Sequence, residues 1–332
     1  MKSKMINSVR IEGILYEHKL EMKMSGPNSK KPGTEYIAGT VSVATDNNLI
    51  NIVQVHYTYI TATTSAGKED SRFKTLKAII DGEYGCYTDP AVRDHAAKVR
   101  IDTAIALNEF YTDRNGAEEL VSAKRLEGGF IHITPSINEN EKQRSVFETD
   151  ILIVGTAEKD AVEDDNGNIV YPAKLILDGR IFSFRKDMLP VKFSVVNEKA
   201  MDYFRSLEPS TKNPIFTKVK GQVISQQGVR LIKEESAFGE DSVREIPTSN
   251  KDFIVTWAAV EPYDFGSEEV LTFDDLKEMA AARENTLATL KKRSDEYKAT
   301  KANAGSAFNG TTAAAPKKAI VQTVPVDDNF KF

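Results

Sequence analysis

Cysteine is almost absent from this chain. Cys86 is the one cysteine in 332 residues, which excludes an internal disulfide framework and any multi-cysteine zinc site. A lone thiol fits a reducing compartment. Histidine is also scarce: His18, His56, His95 and His132 stand singly, with no His-x-x-x-His pair. No apolar run approaches the roughly 18 residues that a membrane helix needs. The start, Met1-Lys2-Ser3-Lys4-Met5, leads into no apolar core, so neither a signal peptide nor a membrane contact is expected. A soluble, cytoplasmic protein is the expectation. Net charge is −5, which counts mildly against a polyanion binder. Acids and bases nevertheless balance through Phe130, and a neutral domain can carry a basic groove on one face.

Catalytic signatures are missing too. Ser65-Ala66-Gly67-Lys68 resembles part of a phosphate loop, but Ala62 stands where the first glycine belongs and Glu69 where Ser or Thr belongs. Asp164-Asp165-Asn166-Gly167 suggests a calcium loop. With Gly167 as the sixth position, Val162 and Ala173 occupy two ligand positions that need oxygen, so a hairpin turn is expected instead. Cys86 has no histidine nearby in sequence and reads as a small structural thiol. Acid pairs such as Glu118-Glu119 and Asp274-Asp275 read as solvated surface. No enzyme, no cofactor and no metal is expected.

What the chain does have is β-pattern, twice. Val9 to Tyr16 alternates, a Lys/Gly/Pro-rich loop follows from Ser25 to Gly33, and Tyr36–Val43 and Ile50–Ile60 are strongly β-forming. A helix is expected over Phe73–Ile80, with a short second one after Pro90. Val99 to Tyr111 and Leu120 to Ile133 then form a hairpin through Asn115-Gly116. The second pass runs through Asp150–Ala157, Lys174–Phe182 and Val191–Val196. Asn197 caps a helix over Glu198–Leu207, which ends before Pro209. Phe216–Ser225 and Phe253–Ala258 close the pass. Three strands, a helix and two strands is the order of a five-stranded OB barrel.

The expected fold class is therefore mainly β: two OB-like five-stranded barrels in tandem, a C-terminal helix and a disordered tail. The expected divisions are 1–135, 136–262, a helical segment 263–299 and a tail 300–332. Thr272 with Asp275 makes a capping-box-like helix start. The stripe Leu276, Met279, Ala280, Leu287 and Leu290 packs on the second barrel or pairs with a second copy in a homo-oligomer. The tail has too little apolar surface to offset its ordering cost of about 1–2 kcal/mol per residue. Its tip brings acid and aromatics together in Asp327, Asp328, Phe330 and Phe332, a pattern suited to a partner's basic, apolar pocket.

Single strands are held by aromatic faces that stack on bases and by Lys or Arg along the phosphates. Candidates in the first pass are Lys30, Lys31, His56, Tyr57, Tyr59, Lys68, Arg72, Phe73, Lys74, Phe110, Tyr111 and Arg114. In the second they are Phe182, Phe184, Arg185, Lys186, Lys218 and Lys220. Strand alternation sets His56 and Thr58 opposite Tyr57 and Tyr59, so only one set can face a groove.

Two OB-like passes, a low-complexity tether and an acidic, Phe-ended tip resemble the single-stranded DNA-binding proteins of bacteria and their phages. Val99 to Phe110 is similar to that family's fourth strand, and Phe216–Ser225 resembles the same element in the second half. The resemblance implies sequence-tolerant binding of single-stranded DNA in replication or recombination, with Asp327, Asp328, Phe330 and Phe332 recruiting other DNA-processing proteins. There are departures: the family has one barrel per chain and a tip with more acids, ending in Pro-Phe. A second class of function is an interaction or structural protein whose barrels bind proteins.

Overall fold

The computed structural model of the chain describes residues 5–305, except 28, 115–116, 164–168, 185, 235–241, 265–269 and 271; at 170, 227–234, 242–249 and 301–305 it describes the backbone alone. The tail after 305, including Asp327, Asp328, Phe330 and Phe332, lies outside the described residues, as does Arg185.

In strand β1 (Asn7–His18) alternation turns Val9, Ile11 and Leu15 inward, each fully buried. The chain continues through β2 (Glu21–Met24), β3 (Glu35–Ala44), β4 (Ile52–Thr61), helix α1 (Ser71–Ile80), β5 (Lys98–Arg114) and β6 (Ala117–Ile133). Hydrogen-bonded neighbours run β1–β3–β4–β6–β5 and back to β1. Only the β4–β6 pair is parallel. That closed order, with a helix between the third and fourth barrel strands, is the OB topology. Short β2 adds to the free side of β3. The Asp70 carboxylate caps α1 by accepting from Arg72 N at 3.0 Å, and the helix buries Leu76 and Ile79 in the core.

The second pass repeats the order with β7 (Ser145–Lys159), the small hairpin β8 (Val162–Glu163) and β9 (Ile169–Tyr171), β10 (Lys174–Phe182), β11 (Met188–Val195), α2 (Glu198–Ser206), β12 (Ile215–Glu234) and β13 (Ser242–Ala258). Its ring is β7–β10–β11–β13–β12–β7, again with one parallel pair, β11 with β13. Asn197 caps α2 as the sequence predicts, accepting from Ala200 N at 3.2 Å, and Phe204 buries against the core.

The two barrels share one 11-stranded sheet because the first half of β1 pairs antiparallel with the first half of β7. Each barrel also extends a hairpin to the other. In the β12–β13 hairpin, Ser225 N donates to Asn51 Oδ1 at 2.6 Å and Val223 O accepts from Asn51 Nδ2 at 3.3 Å, at the start of β4. In the β5–β6 hairpin, Lys124 donates to the carbonyl of Lys192 in β11. The sequence reading stops β12 at Ser225 and starts β13 at Phe253. The backbone instead continues the pairing of β12 with β13 out to Glu234 and Ser242, well past Gln222, the last β12 residue that pairs with β7.

Helix α3 (Phe273–Gly305) begins with the expected reciprocal box: Thr272 N donates to Asp275 Oδ2 at 3.0 Å and Asp275 N to Thr272 Oγ1 at 3.1 Å. Met279 is buried with Leu152, Phe182 and Phe216 of the second barrel. Further along, α3 leaves that barrel and follows the β5–β6 hairpin of the first. Arg283 pairs with Glu109 and Asp187, Lys291 with Glu118 at 2.5 Å, and Lys298 with Asp113 and Glu118 at 2.9 and 2.7 Å. The apolar stripe thus accounts for the first turns of α3 and charge for the rest.

Candidate nucleic-acid interface

Three β-bulges decide which aromatic rings reach solvent. Strict alternation from the buried Val53, Val55 and Tyr57 sends Tyr59 inward. Between Ile37↔Ile60 and Gly39↔Tyr57, β4 spends one residue more than β3, which resets the alternation and turns Tyr59 out. Its ring then lies 4.6 Å from that of Tyr36. The bulge works because Gly39, at φ +136°, passes so close to the Lys19 carbonyl that a Cβ there would sit 1.9 Å from the oxygen.

Between Asp102↔Phe130 and Ala104↔Glu127, β6 carries an extra residue at Gly128-Gly129, both with positive φ, and Phe130 faces out at 52 % exposure. Between Lys220↔Trp257 and Gly221↔Val255, β13 carries an extra residue at Thr256, and Trp257 faces out at 46 % exposure. A cation stacks on each of these two rings: Arg72 over Phe130 at 5.5 Å and Lys220 over Trp257 at 5.2 Å.

The expected first-barrel candidates divide accordingly. Tyr57 is corrected to a core residue: it is 2 % exposed and offers no face to a base, and burial holds its phenol well above the usual tyrosine range. His56 points outward but is half-buried. Burial and the charge of Arg125 hold its imidazole below the usual value, Glu127 opposes and Lys251 adds. Arg72 is paired to Asp70 at 2.5 Å beneath its stacking contact. Phe73 packs partly against the core, while Lys74, Lys68, Lys30 and Lys31 are exposed.

The β5–β6 hairpin keeps Phe110 exposed, but Lys291 of α3 stands 5.8 Å over the ring of Tyr111, and Arg114 lies 4.0 Å from Glu119. In the second barrel Phe182 is also corrected to core: it is 1 % exposed and edge-on to Phe216 under α3. Phe184 at the β10–β11 turn is fully exposed, and Lys186 beside it lies 3.7 Å from Glu278. Lys218 and Lys220 both reach Glu148 at 3.3 Å.

An open groove of about 820 Å³ lies where the barrels join. Ser8 and Arg10 of β1, Val146 and Glu148 of β7, Lys220 and Gln222 of β12, and Trp257 of β13 line it, with Lys142 from the connection before β7. Sequence reading missed Tyr36, Arg10, Lys142, Phe130 and Trp257 as candidates. The Gly128-Gly129 pair was the one local signal for any of them. Lys124 marks the other side of the junction. Its ammonium lies 4.8 Å over Phe253 and 5.5 Å over Phe193, and burial pushes it down to about 8, with Asp252 opposing and Lys174 adding. Among the described residues no cluster of three His, Cys, Asp or Glu side chains could hold a metal ion, and no helix is long and apolar enough to cross a membrane.

The ring order and inserted helices make this a tandem OB-barrel protein. The chain belongs to the YorF family, whose model matches residues 5–293. No curated protein matches it. Among solved structures, a deletion mutant of the single-stranded DNA-binding protein from Thermus aquaticus is similar over 80 % of this chain and 98 % of that one, at 10 % identity and a TM-score of 0.42. A likeness that weak has no bearing on the activity of this chain.

Proposed function

We propose that this protein binds single-stranded DNA with little sequence preference, serving DNA replication or recombination. The supporting observation is the placement of exposed rings beside cations on the outer faces of both barrels: Phe130 with Arg72, and Trp257 with Lys220. Every base has a π-face, so stacking of this kind tolerates any sequence and contributes about 1–3 kcal/mol per base. Tyr36 and Tyr59 add a second aromatic platform on β3 and β4, the barrel strands on which OB folds take oligonucleotides. Overall charge is negative, so local cations rather than the net field have to meet the phosphates.

Labelled oligothymidine titrated at increasing salt tests the reading. Affinity should fall steeply with salt, since each neutralised phosphate releases counterion, and duplex of the same length should bind more weakly. Binding that ignores salt, or equal affinity for duplex, would overturn it. Recruitment of partner proteins by Asp327, Asp328, Phe330 and Phe332 is the second half of the proposal and rests on the sequence pattern.

A further inference from the structure

The β1–β7 seam has a local two-fold. Val9 pairs with Phe147 at its centre, Ser8 with Glu148 on one side and Arg10 with Val146 on the other. The strand pairings on either side of the seam then match. Outward from β1, Arg10 pairs with Asp102 of β5 and Asp102 with Phe130 of β6. Outward from β7, Glu148 pairs with Lys220 of β12 and Lys220 with Trp257 of β13. Phe130 and Trp257 are therefore equivalent positions. Each lies on the closing strand of its barrel, each follows a bulge, and each carries a stacked cation. Without the bulges both rings would point into the barrels.

Six hydrogen-bonded strands thus present one outer face with an exposed ring at either end. Five inter-strand steps separate the rings, about 24 Å along the surface at ~4.8 Å per step. Between them the row is polar and charged (Asp102, Arg10, Ser8, Glu148 and Lys220) except for Val146. The groove at the centre is lined by three cations, Arg10, Lys142 and Lys220, and one carboxylate, Glu148. Both carboxylates in the row are ion-paired: Asp102 with Arg10 at 3.2 Å and Arg100 at 3.0 Å, and Glu148 with Lys218 and Lys220. Exposed pairs of this kind are weak and give up a cation to a phosphate at little cost.

We infer that a single DNA strand crosses from one barrel to the other over the β1–β7 seam, with bases stacked on Phe130 and Trp257 and phosphates on Arg10, Lys142 and Lys220. This rests on the proposed function and locates it. The occupant follows from the surface. Two isolated rings separated by a charged row suit a flexible polyanion with accessible base faces. A protein partner would need the apolar surface to be continuous, and a duplex hides its base faces in the stack.

Trp257 is the only tryptophan in the chain, so it reports on this path directly. Its emission is followed while labelled oligothymidine is titrated into the full chain, with the label's anisotropy recorded in parallel. Oligothymidine should quench Trp257 along the same isotherm as the anisotropy. Phe130→Ala and Trp257→Ala should each weaken binding about 5- to 150-fold, while Trp257→Phe, which keeps a ring, stays near the original affinity. Lys220→Glu should weaken it as well, through a surface site that leaves the core intact. An anisotropy change with Trp257 emission unmoved and both alanine variants binding normally would overturn the seam path and leave the DNA-binding reading standing. That result with a loss in Tyr59→Ala would move the strand to β3 and β4. No anisotropy change at all would remove the function, and this inference with it.

Discussion

Arg283 joins α3 to both barrels, and its removal should loosen the helix measurably. The guanidinium pairs with Glu109 of the β5–β6 hairpin and stands 3.9 Å from Asp187, which precedes β11. All three side chains are at most 13 % exposed. Replacing Arg283 by Met keeps the stem and strands two carboxylates in a desolvated site. Breaking a buried pair this way costs about 3–5 kcal/mol, far more than an exposed pair. At an unfolding entropy of about 2.1 cal/mol/K per residue, a chain of this length shifts by about 1.4 °C per kcal/mol, so the melting temperature should fall by about 4–7 °C. The loss should also depend on pH. Burial already holds the Asp187 carboxyl above the usual range, with Arg283 opposing. Without Arg283 its folded-state value rises further, so the folded state holds the proton more tightly than the unfolded one. The deficit is then smallest at low pH and deepens as pH rises through the raised value. Thermal melts between pH 5 and 8, with hydrogen exchange at the amides of α3 and the β5–β6 hairpin, check this (the pH range is of the order where carboxylates with raised values titrate). A shift of only a degree or two, the same at every pH, would show that the contact is superficial and the clamp reasoning wrong.

Lys124, held at about 8 between the barrels, has a depressed value, so the unfolded chain binds its proton more tightly. Stability should therefore rise as pH climbs from about 8 toward the free lysine value of about 10.4. Denaturant melts across that range should show the rise in the natural chain and a flatter profile in Lys124→Met. Gly129→Ala should destabilise the first barrel by at least about 1–3 kcal/mol, because its φ is +92° and a Cβ would sit 2.1 Å from the Asp102 carbonyl oxygen. A melting temperature within error of the natural chain would remove the bulge as the device that turns Phe130 out. Deleting the chain after about residue 300 should leave both the melt and oligothymidine affinity unchanged. In lysate pull-downs a chain lacking Asp327 to Phe332 should lose replication or recombination proteins that the full chain retains; identical captures would refute the recruiting tip.

Order along the chain settles much of this architecture. Alternating runs such as Val9 to Leu15 choose their buried face with no help from distant residues, since side chains two apart share a side. Asn197 and Thr272 start helices through their own side chains, which meet amides only three residues away. Three strands, a helix and two strands then close as an OB ring in each half. Tertiary structure decided which aromatics meet solvent. A bulge is a property of two paired strands, and the partners of Tyr59, Phe130 and Trp257 lie about 20 to 40 residues away. Alternation counted from the buried residues before each bulge (Tyr57, Leu126 and Val255) sends all three rings inward, and the pairing turns all three out. The seam between β1 and β7 and the ion pairs of α3 with the β5–β6 hairpin join residues more than a hundred positions apart. No local pattern encodes contacts of that range: they exist because two closed barrels left strand edge and charge to share, and the groove lined by Arg10, Glu148, Lys220 and Trp257 is formed by that sharing.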